Sequence, residues 1–586
     1  MTFKEFASYL QKLETTASRN EMTAILAELF KEAEAEEIDQ ICYLSLGRLA
    51  PKYEGIEFNI AEKMMVQILA RAYEKEAAKV KESYKKIGDL GVVASQLAQI
   101  NADSSADKRG KELTVTQVYD QLYEIATTSG EGSVEKKVSL FAELLQQLAP
   151  LSARYVVRIP IGRLRLGFSD VTILDALSWS KTGDKSLRPE LERAYNISAD
   201  IGKIAKIFKE KGVEGVRKVK VSVGTPIRTA QAERLPTAEK IIEKLGRCAA
   251  EKKFDGFRTQ CHIWEEKGTR TVKIFSRNLE NITYMFPDIV KAAQKIKVKS
   301  AVLDGEAIAY NPDTGEFLPF QETVQRKRKY GISEKAKEVP LKVFVFDLLL
   351  LNGKGLIFEP FSKRRKLLEK VLGKAKPEEV IQLAYQKIIS TPEELRREFD
   401  LSISEGLEGL VVKKLDSVYQ AGARNFNWVK YKRATEGELA DTVDCLVMGY
   451  YRGRGKRASF GIGAFLTGVY DEVSENFYTI AKIGTGLTDG QWREMKRRCD
   501  GVKVARKPEE YVVDKNLACD VWVRPAIVVE IKADEVTRSP VHTAGKKGKQ
   551  PGFALRFPRL VRFRDKDPEQ ATTVKEVLRL YKMQGK

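Results

Sequence analysis

The sequence predicts three domains of different class. These are an all-α domain over residues 1–221, an α+β sheet domain over 222–435, and a small β-barrel, of the OB type or another, over 436–586 that closes with a helix. Three observations carry this division. A length of 586 residues exceeds what one hydrophobic core usually serves. Apolar residues recur at three- and four-residue spacing up to about residue 220, and short β-rich runs then take over. Beyond Lys432-Arg433 the strand candidates lie in a glycine-rich region.

Each element has a local reason. Met1 leads into Thr2-Phe3-Lys4-Glu5, a capping-box pattern rather than a signal peptide, and Phe3, Phe6, Leu10 and Leu13 mark one helical face. Asn101 to Gly110 is polar and reads as a surface loop. The period changes near Val219 to Gly224, and from Gln260 to Lys414 short β-rich runs alternate with Asn, Gly and Pro. Val272 to Phe275, Ala307 to Tyr310 and Phe344 to Leu349 are strands of that sheet region. Cys445 to Gly449, Ala464 to Val469 and Ile527 to Ile531 are strands of the last domain. Gly545 to Gly552 forms a basic connection, and Thr573 to Met583 a final helix.

Composition narrows the function. Lys and Arg number 101 against 81 Asp and Glu, a formal charge of +20 that suits a polyanionic partner, because phosphate-neutralising cations release condensed counterions. Six scattered cysteines without Cys-x-x-Cys spacing argue against a zinc module and for a reducing compartment. The presence of only His262 and His542 argues against a histidine-based metal site or catalytic triad. No apolar run approaches the roughly 20 residues of a membrane span, so a soluble, cytoplasmic protein without a membrane partner is expected.

The strongest motif is Lys253-Phe254-Asp255-Gly256-Phe257-Arg258, with Glu251 just before it. A lysine attacks phosphorus only as the neutral amine, and desolvation or nearby cations supply that form. Taken alone, the six residues equally describe a strand-turn-strand with surface charges. An ordered series follows: Ser276-Arg277, Leu303-Asp304-Gly305-Glu306, Phe344 to Leu349, Glu408-Gly409-Leu410-Val411-Val412-Lys413, Arg424, and Trp428-Val429-Lys430-Tyr431-Lys432. Lys430 and Lys432 flank Tyr431, so both point to one face of a strand. Phe346, two positions from Phe344 and from Leu348, reads by periodicity as core.

This series resembles that of the covalent nucleotidyltransferases: ATP-dependent DNA ligases, RNA ligases and mRNA capping enzymes. Arg163-Leu164-Arg165-Leu166-Gly167 upstream and Leu555-Arg556-Phe557-Pro558-Arg559 downstream look like the DNA-binding and C-terminal domains of archaeal and eukaryotic replicative-type DNA ligases. The resemblance implies a DNA-binding domain, an adenylation domain and an OB-fold domain. It further implies an ATP-dependent DNA ligase that adenylates Lys253, passes AMP to the 5′-phosphate of a nick, and joins that phosphate to the 3′-hydroxyl. An RNA ligase or guanylyltransferase on the same core, or a catalytically silent DNA-binding relative, is the alternative.

By the same resemblance Glu251, Arg258, Arg277, Glu306, Phe346, Arg424, Lys430 and Lys432 bind the nucleotide or the DNA 5′-phosphate. Lys430 contacts the α-phosphate, Phe346 stacks on adenine, and Glu251 lies at the adenine edge. Glu306 and Glu408 hold magnesium or manganese, a hard cation that accepts one or two carboxylates beside substrate phosphates. The implied partner is nicked double-stranded DNA, with a sliding clamp as a further candidate, and the chain is expected to act as a monomer in the cytoplasm, or in the nucleus of a eukaryote.

Basic groups are expected to carry the DNA by its backbone. They are Arg154, Arg158, Arg163 and Arg165; Lys203 to Lys220; Arg326-Lys327-Arg328-Lys329; and Gly453-Arg454-Gly455-Lys456-Arg457. Two stretches depart from the family pattern. Thr229-Ala230-Gln231-Ala232 stands where relatives commonly carry a Met-Leu pair, and Arg564-Asp565-Lys566-Asp567 is one residue shorter than the usual Arg-x-Asp-Lys. Arg556 and Arg559 are expected to offer cations to pyrophosphate or DNA.

Overall fold

The computed structural model describes residues 1–586 except 17, 105–111, 165, 313–315, 319–321, 324, 329–330, 374–375, 377, 406, 433–441, 454–459, 485–486, 549 and 585–586. The chain forms two compact units, Met1–Lys432 and Arg433–Lys586.

The first unit begins with helices from Phe3–Thr15 to Ile201–Arg217. The Thr2 side chain accepts from the Glu5 backbone N–H, and the Glu5 carboxylate accepts from Thr2 N–H, the reciprocal box read from the sequence. Phe3, Phe6, Leu10 and Leu13 are all buried in one core that continues to Val216. The polar stretch from Asn101 does not begin a loop: helix Leu90–Ser104 runs through its first four residues, and 105–110 lie outside the described residues. Helical propensity of Asn and Asp is low but not prohibitive, so the end of a helix is hard to place from composition. After the last helix Val219, Val221 and Val223 form no strand. They pack instead with Ile197, Ile227, Leu349, Tyr419 and Trp428, which joins the helical part to the sheet part through a shared apolar cluster.

Among the described residues eleven strands follow in the first unit: β1 Gln231–Arg234, β2 Cys248–Lys253, β3 Phe257–Glu266, β4 Thr269–Ser276, β5 Ser300–Ala309, β6 Leu341–Leu351, β7 Lys354–Gly355, β8 Ile381–Leu383, β9 Gln386–Ile389, β10 Gly409–Lys414 and β11 Arg424–Lys432. They make two sheets. One has the order β1-β11-β10-β2-β9, and the other β4-β3-β5-β6-β7 with β8 beside β6. The bend at Asp255-Gly256 therefore does not fold a hairpin but carries the chain from one sheet to the other. Gly256 is required there, because a Cβ would lie 2.1 Å from the Ala307 carbonyl oxygen.

The second unit is β-rich. Strands β12 Val443–Tyr451, β13 Ala464–Asp471 and β14 Asn476–Ile483 are the long members of an eight-stranded sheet, the β-rich domain expected after the second boundary. Helix Asp489–Gly501 sends Trp492, Met495 and Cys499 into the core under Val443, Val447 and Phe465. The last helix runs over Val574–Met583 with Thr573 and Glu576 as its capping box.

Candidate active site

Strand register builds the site. On β10, Gly409 lies opposite Lys253 of β2 and Lys432 of β11, Val411 opposite Glu251 and Lys430, and Lys413 opposite Ala249 and Trp428. Side chains alternate along a strand, so Glu251, Lys253, Val411, Lys413, Trp428, Lys430 and Lys432 share one face. They line a cleft of about 470 Å³. The opposite face carries Ala250, Leu410, Val412, Val429 and Tyr431, all packed on the apolar cluster beneath the helices Ala238–Leu245 and Pro392–Ser404. Gly409 holds the crossing together with φ +137°, and a Cβ there would sit 2.3 Å from the Tyr431 carbonyl oxygen.

The other sheet supplies the second wall. Arg258 of β3 faces Glu306 of β5, which faces Phe344 of β6. Asp304 pairs with Asp347 and Gly305 with Val345, so Phe346 is the extra residue of a β-bulge. A bulge re-aims its side chain. Phe346 meets Trp428 edge-on at 5.8 Å and lines the cleft while its flank packs on the apolar cluster. Phe346 is thus a half-buried ring, with one flank on the apolar cluster and the other on the cleft.

Charges converge on Lys253. Its side chain is 23% exposed, and Glu408 pairs with both Lys253 and Lys432. The Glu408 backbone N–H donates to the Lys253 carbonyl at 3.1 Å, which fixes the carboxylate beside the amine. Burial lowers the pKa of Lys253; Glu306 and Asp255 oppose that shift, and Arg277 adds to it. Burial pushes the Glu306 carboxyl up to about 7 against the pull of Lys253 and Arg258. Lys430 is lowered by burial and by its cationic neighbours Arg424, Lys253, Arg234 and Arg277.

Of the residues singled out from the sequence, Glu251, Lys253, Arg258, Arg277, Glu306, Phe346, Arg424, Lys430 and Lys432 line this one cleft. Glu408 is not among the lining side chains but pairs with two that are. Thr229, Ala230, Gln231 and Ala232, the stretch that departs from the family pattern, line it too. Arg556 and Arg559 belong to the second unit, where they pair with Glu535 at 3.2 Å and Asp534 at 2.5 Å. There Lys566 pairs with Asp444 at 2.7 Å.

Asp304 and Lys413 stand in the sequence motifs without an assigned role, and the structure supplies one for each. Asp304 takes Arg258 in a two-bond grip of 2.9 and 2.5 Å and also accepts from the Tyr419 hydroxyl at 2.7 Å. Lys413, 1% exposed, meets Glu251 at 2.7 Å and lies 4.5 Å from the Phe346 ring centre and 4.3 Å from that of Trp428. The available signal was an Asp or Lys inside an otherwise apolar strand, which is rarely buried without a partner.

Some basic groups are corrected. Arg158 is buried between Glu14 and Asp89, at 2.9 and 2.8 Å, and Arg154 pairs with Glu14. Arg326 is 1% exposed, pairs with Asp288 at 2.8 Å and donates to the Val339 carbonyl. Arg158 and Arg326 are internal braces, not cations for DNA, whereas Arg154 stays partly exposed. Lys203, Lys211, Lys218 and Lys220 are exposed, whereas Arg165, Lys329 and Arg454 to Arg457 lie outside the described residues.

The donor set near Lys253 fits a hard divalent cation. Glu306 and Glu408 bring carboxylate oxygens from the two sheets, and among the described residues no group of three or more His, Cys, Asp or Glu forms a cage. Magnesium held by one or two carboxylates and by substrate phosphates needs no such cage. Among the described residues no helix is long and apolar enough to cross a membrane.

Comparison with known proteins covers the same ground. The family model for the ATP dependent DNA ligase domain matches residues 230–432, that for the DNA ligase N terminus 2–178, and that for the ATP dependent DNA ligase C terminal region 458–567. The chain is 49% identical over 589 residues to a "Probable DNA ligase" of Dictyoglomus turgidum, covering 100% of this chain and 98% of that one. It is 42% identical over 598 residues to "DNA ligase 2" of Thermofilum pendens, with the same coverage. The solved structure "Pmar-Lig_PreS3" is similar with a TM-score of 0.53 at 18% identity, covering 96% of this chain and 99% of that one, a likeness of fold.

Proposed function

The chain belongs to the ATP-dependent DNA ligase family and is an enzyme that joins DNA with ATP as cosubstrate, and within that activity we propose that Lys253 is the adenylated nucleophile. The observation that supports this most is the disposition of charge along β10. At Gly409 the two amines of Lys253 and Lys432 face each other, at Val411 come Glu251 and Lys430, and at Lys413 the aromatic wall of Trp428 and Phe346. At roughly 3.3 Å per residue this run covers about 13 Å, with the Lys253 and Lys432 amines at one end and the rings, over Lys413, at the other. A nucleotide laid along it has its α-phosphate at Lys253 and its base against the wall that Phe346 and Trp428 form together.

In the first step the neutral Lys253 amine attacks the α-phosphorus. A nitrogen–phosphorus bond forms, the bond to pyrophosphate breaks, and the amine proton leaves. Burial and Arg277 favour the neutral amine, whereas Glu306, Asp255 and the Glu408 ion pair favour ammonium, so Lys253 must exchange Glu408 for the phosphate. Lys430 and Lys432 face the charge that develops on the non-bridging oxygens. A divalent cation at Glu306 and Glu408, when bound, would neutralise phosphate charge. AMP then passes to the 5′-phosphate of a nicked duplex, and the 3′-hydroxyl displaces AMP to leave a phosphodiester.

We assign the helical residues 1–221 to DNA binding, 222–435 to adenylation and 436–586 to the OB-type domain. The last helix before the sheets ends at Arg217 and β1 begins at Gln231, which supports the first boundary. A sliding clamp as partner and a monomeric state are further proposals from the resemblance. The test of the nucleophile is incubation with α-labelled ATP and magnesium followed by denaturing electrophoresis. Lys253→Ala abolishes the label, and Lys253→Arg does too because a guanidinium stays protonated. Both variants still seal a nick that is already adenylated. A label that persists in Lys253→Ala and maps to another lysine refutes the assignment.

A further inference from the structure

Glu251 is 3% exposed, yet it lines the nucleotide cleft, and three side chains hold its carboxylate from behind. Lys413 Nζ lies 2.7 Å from Oε2. Gln386 Nε2 donates to Oε1 at 3.2 Å. Arg365 Nη1 stands 3.6 Å from the same oxygen and is a buried donor that makes no hydrogen bond. The rest of Arg365 is tied down, with Nε on Glu369 at 2.9 Å and Nη2 on the Ala384 carbonyl at 2.7 Å. Lys413 also donates to the Phe346 carbonyl at 3.2 Å. One ammonium therefore links the carboxylate to the ring wall.

A carboxylate held in this way is a fixed acceptor with lone pairs left over. The contacts to Lys413 and Gln386, with Arg365 behind, oppose its rotation. The 6-amino group of adenine donates to such an acceptor, whereas the 6-oxo group of guanine or hypoxanthine would set oxygen against oxygen. A buried acceptor left facing the wrong partner is costly, so its orientation sets selectivity. We propose that Lys413, Arg365 and Gln386 are positioning residues that hold Glu251 toward the 6-amino edge of the purine and thereby select ATP over 6-oxo and 6-unsubstituted nucleotides. This rests on the reading above that the base lies at the Phe346–Trp428 end of the cleft.

The experiment uses the full chain and measures kcat/KM for self-adenylation with ATP, with inosine triphosphate, and with purine-riboside triphosphate, which carries hydrogen at position 6. The unmodified protein prefers ATP over both. Lys413→Met reduces the preference for ATP over purine-riboside triphosphate by on the order of tenfold, chiefly through KM, and Lys413→Arg retains most of it. Gln386→Leu, at a half-buried position, gives a smaller change of the same sign and serves if Lys413→Met does not fold. Adding Lys413→Met to Glu251→Ala changes the preference no further. Equal losses on all three nucleotides overturn the proposal and reduce Lys413 to a prop of the cleft. A Glu251→Ala variant that keeps the full preference for ATP overturns the placement of the base edge, and the clamp with it.

Discussion

Two arginine–aspartate pairs lie side by side at the back of the cleft and differ in one respect. Asp304 of β5 and Asp347 of β6 are cross-strand partners, both fully buried, and like charges so placed would repel. Each has its own guanidinium. Arg258 grips Asp304 with bonds of 2.9 and 2.5 Å, and Arg364, from the helix Phe361–Leu372, grips Asp347 with bonds of 2.7 and 2.9 Å. Arg364 spends its remaining donors on the Glu359 and Ser417 carbonyls and has no exposure. Arg258 keeps 15% exposure, lines the cleft, and lies 5.1 Å from the Phe346 ring centre and 5.3 Å from that of Trp428. The same pairing thus closes a core at one site and places a cation on the wall of the cleft at the other. Both guanidiniums also meet carbonyls, Arg258 that of Ala230 at 3.0 Å, so what separates the two pairs is that Arg258 keeps one side open to the cleft whereas Arg364 is enclosed.

The largest expected effect breaks the closed pair. Asp347→Ala leaves Arg364 buried without its counter-charge, and denaturant unfolding should show a loss of about 3–5 kcal/mol. A variant as stable as the parent would mean that carbonyls alone hold Arg364 and that the pair is dispensable. Asp304→Ala is expected to cost less stability, about 1–3 kcal/mol, because Arg258 has solvent within reach through the cleft. Its self-adenylation should nevertheless fall tenfold or more, since Arg258 no longer has a fixed direction. If Asp304→Ala and Asp347→Ala lose stability and activity in the same proportion, the distinction between the two pairs disappears.

A third substitution probes the ring over Arg258. Phe346→Ala should weaken ATP use by about 1–3 kcal/mol, roughly 5- to 150-fold, with a modest change in melting temperature. Early melting with unchanged KM for ATP would return Phe346 to the core.

The smallest effect concerns a buried group that is neutral rather than paired. His262 is fully buried on β3, where Nδ1 accepts from the Gly224 N–H at 3.1 Å and Nε2 meets Gln260 Oε1 at 2.9 Å. A charged ring would turn Nδ1–H against Gly224 N–H. Burial, with Lys273 adding to it, lowers the His262 pKa to about 3. The unfolded chain takes up this proton near its ordinary value of about 6.5, so the contribution is complete above that pH and is lost as pH falls from there toward 3, at up to about 1.4 kcal/mol per pH unit. Unfolding free energies of the parent and His262→Gln at pH 7, 6 and 5 should converge as the pH falls. Parallel curves would show that the ring protonates in the folded state.

Most of the site was legible because its chemistry is concentrated in short ordered motifs. Lys253, Glu306, Glu408 and Lys430 each sit in such a motif, and all meet at or beside one cleft. The basic runs were less legible, since a run of cations says nothing of which members find carboxylates. Arg158 and Arg326 proved to be internal braces, while Lys218 and Lys220 remain exposed.

The sequence by itself determined the alternation that puts Glu251 with Lys253, and Trp428 with Lys430 and Lys432, on common faces, because side-chain direction along a strand is a local property of period two. Only the tertiary structure decided that β10 lies between β2 and β11, strands more than 150 residues apart in sequence, and that β5 and β6 slip by one residue to leave Phe346 on a bulge. It also decided which arginine each buried aspartate received. Strand order, register slips and ion partners depend on which distant surfaces pack together, and no local period encodes that choice.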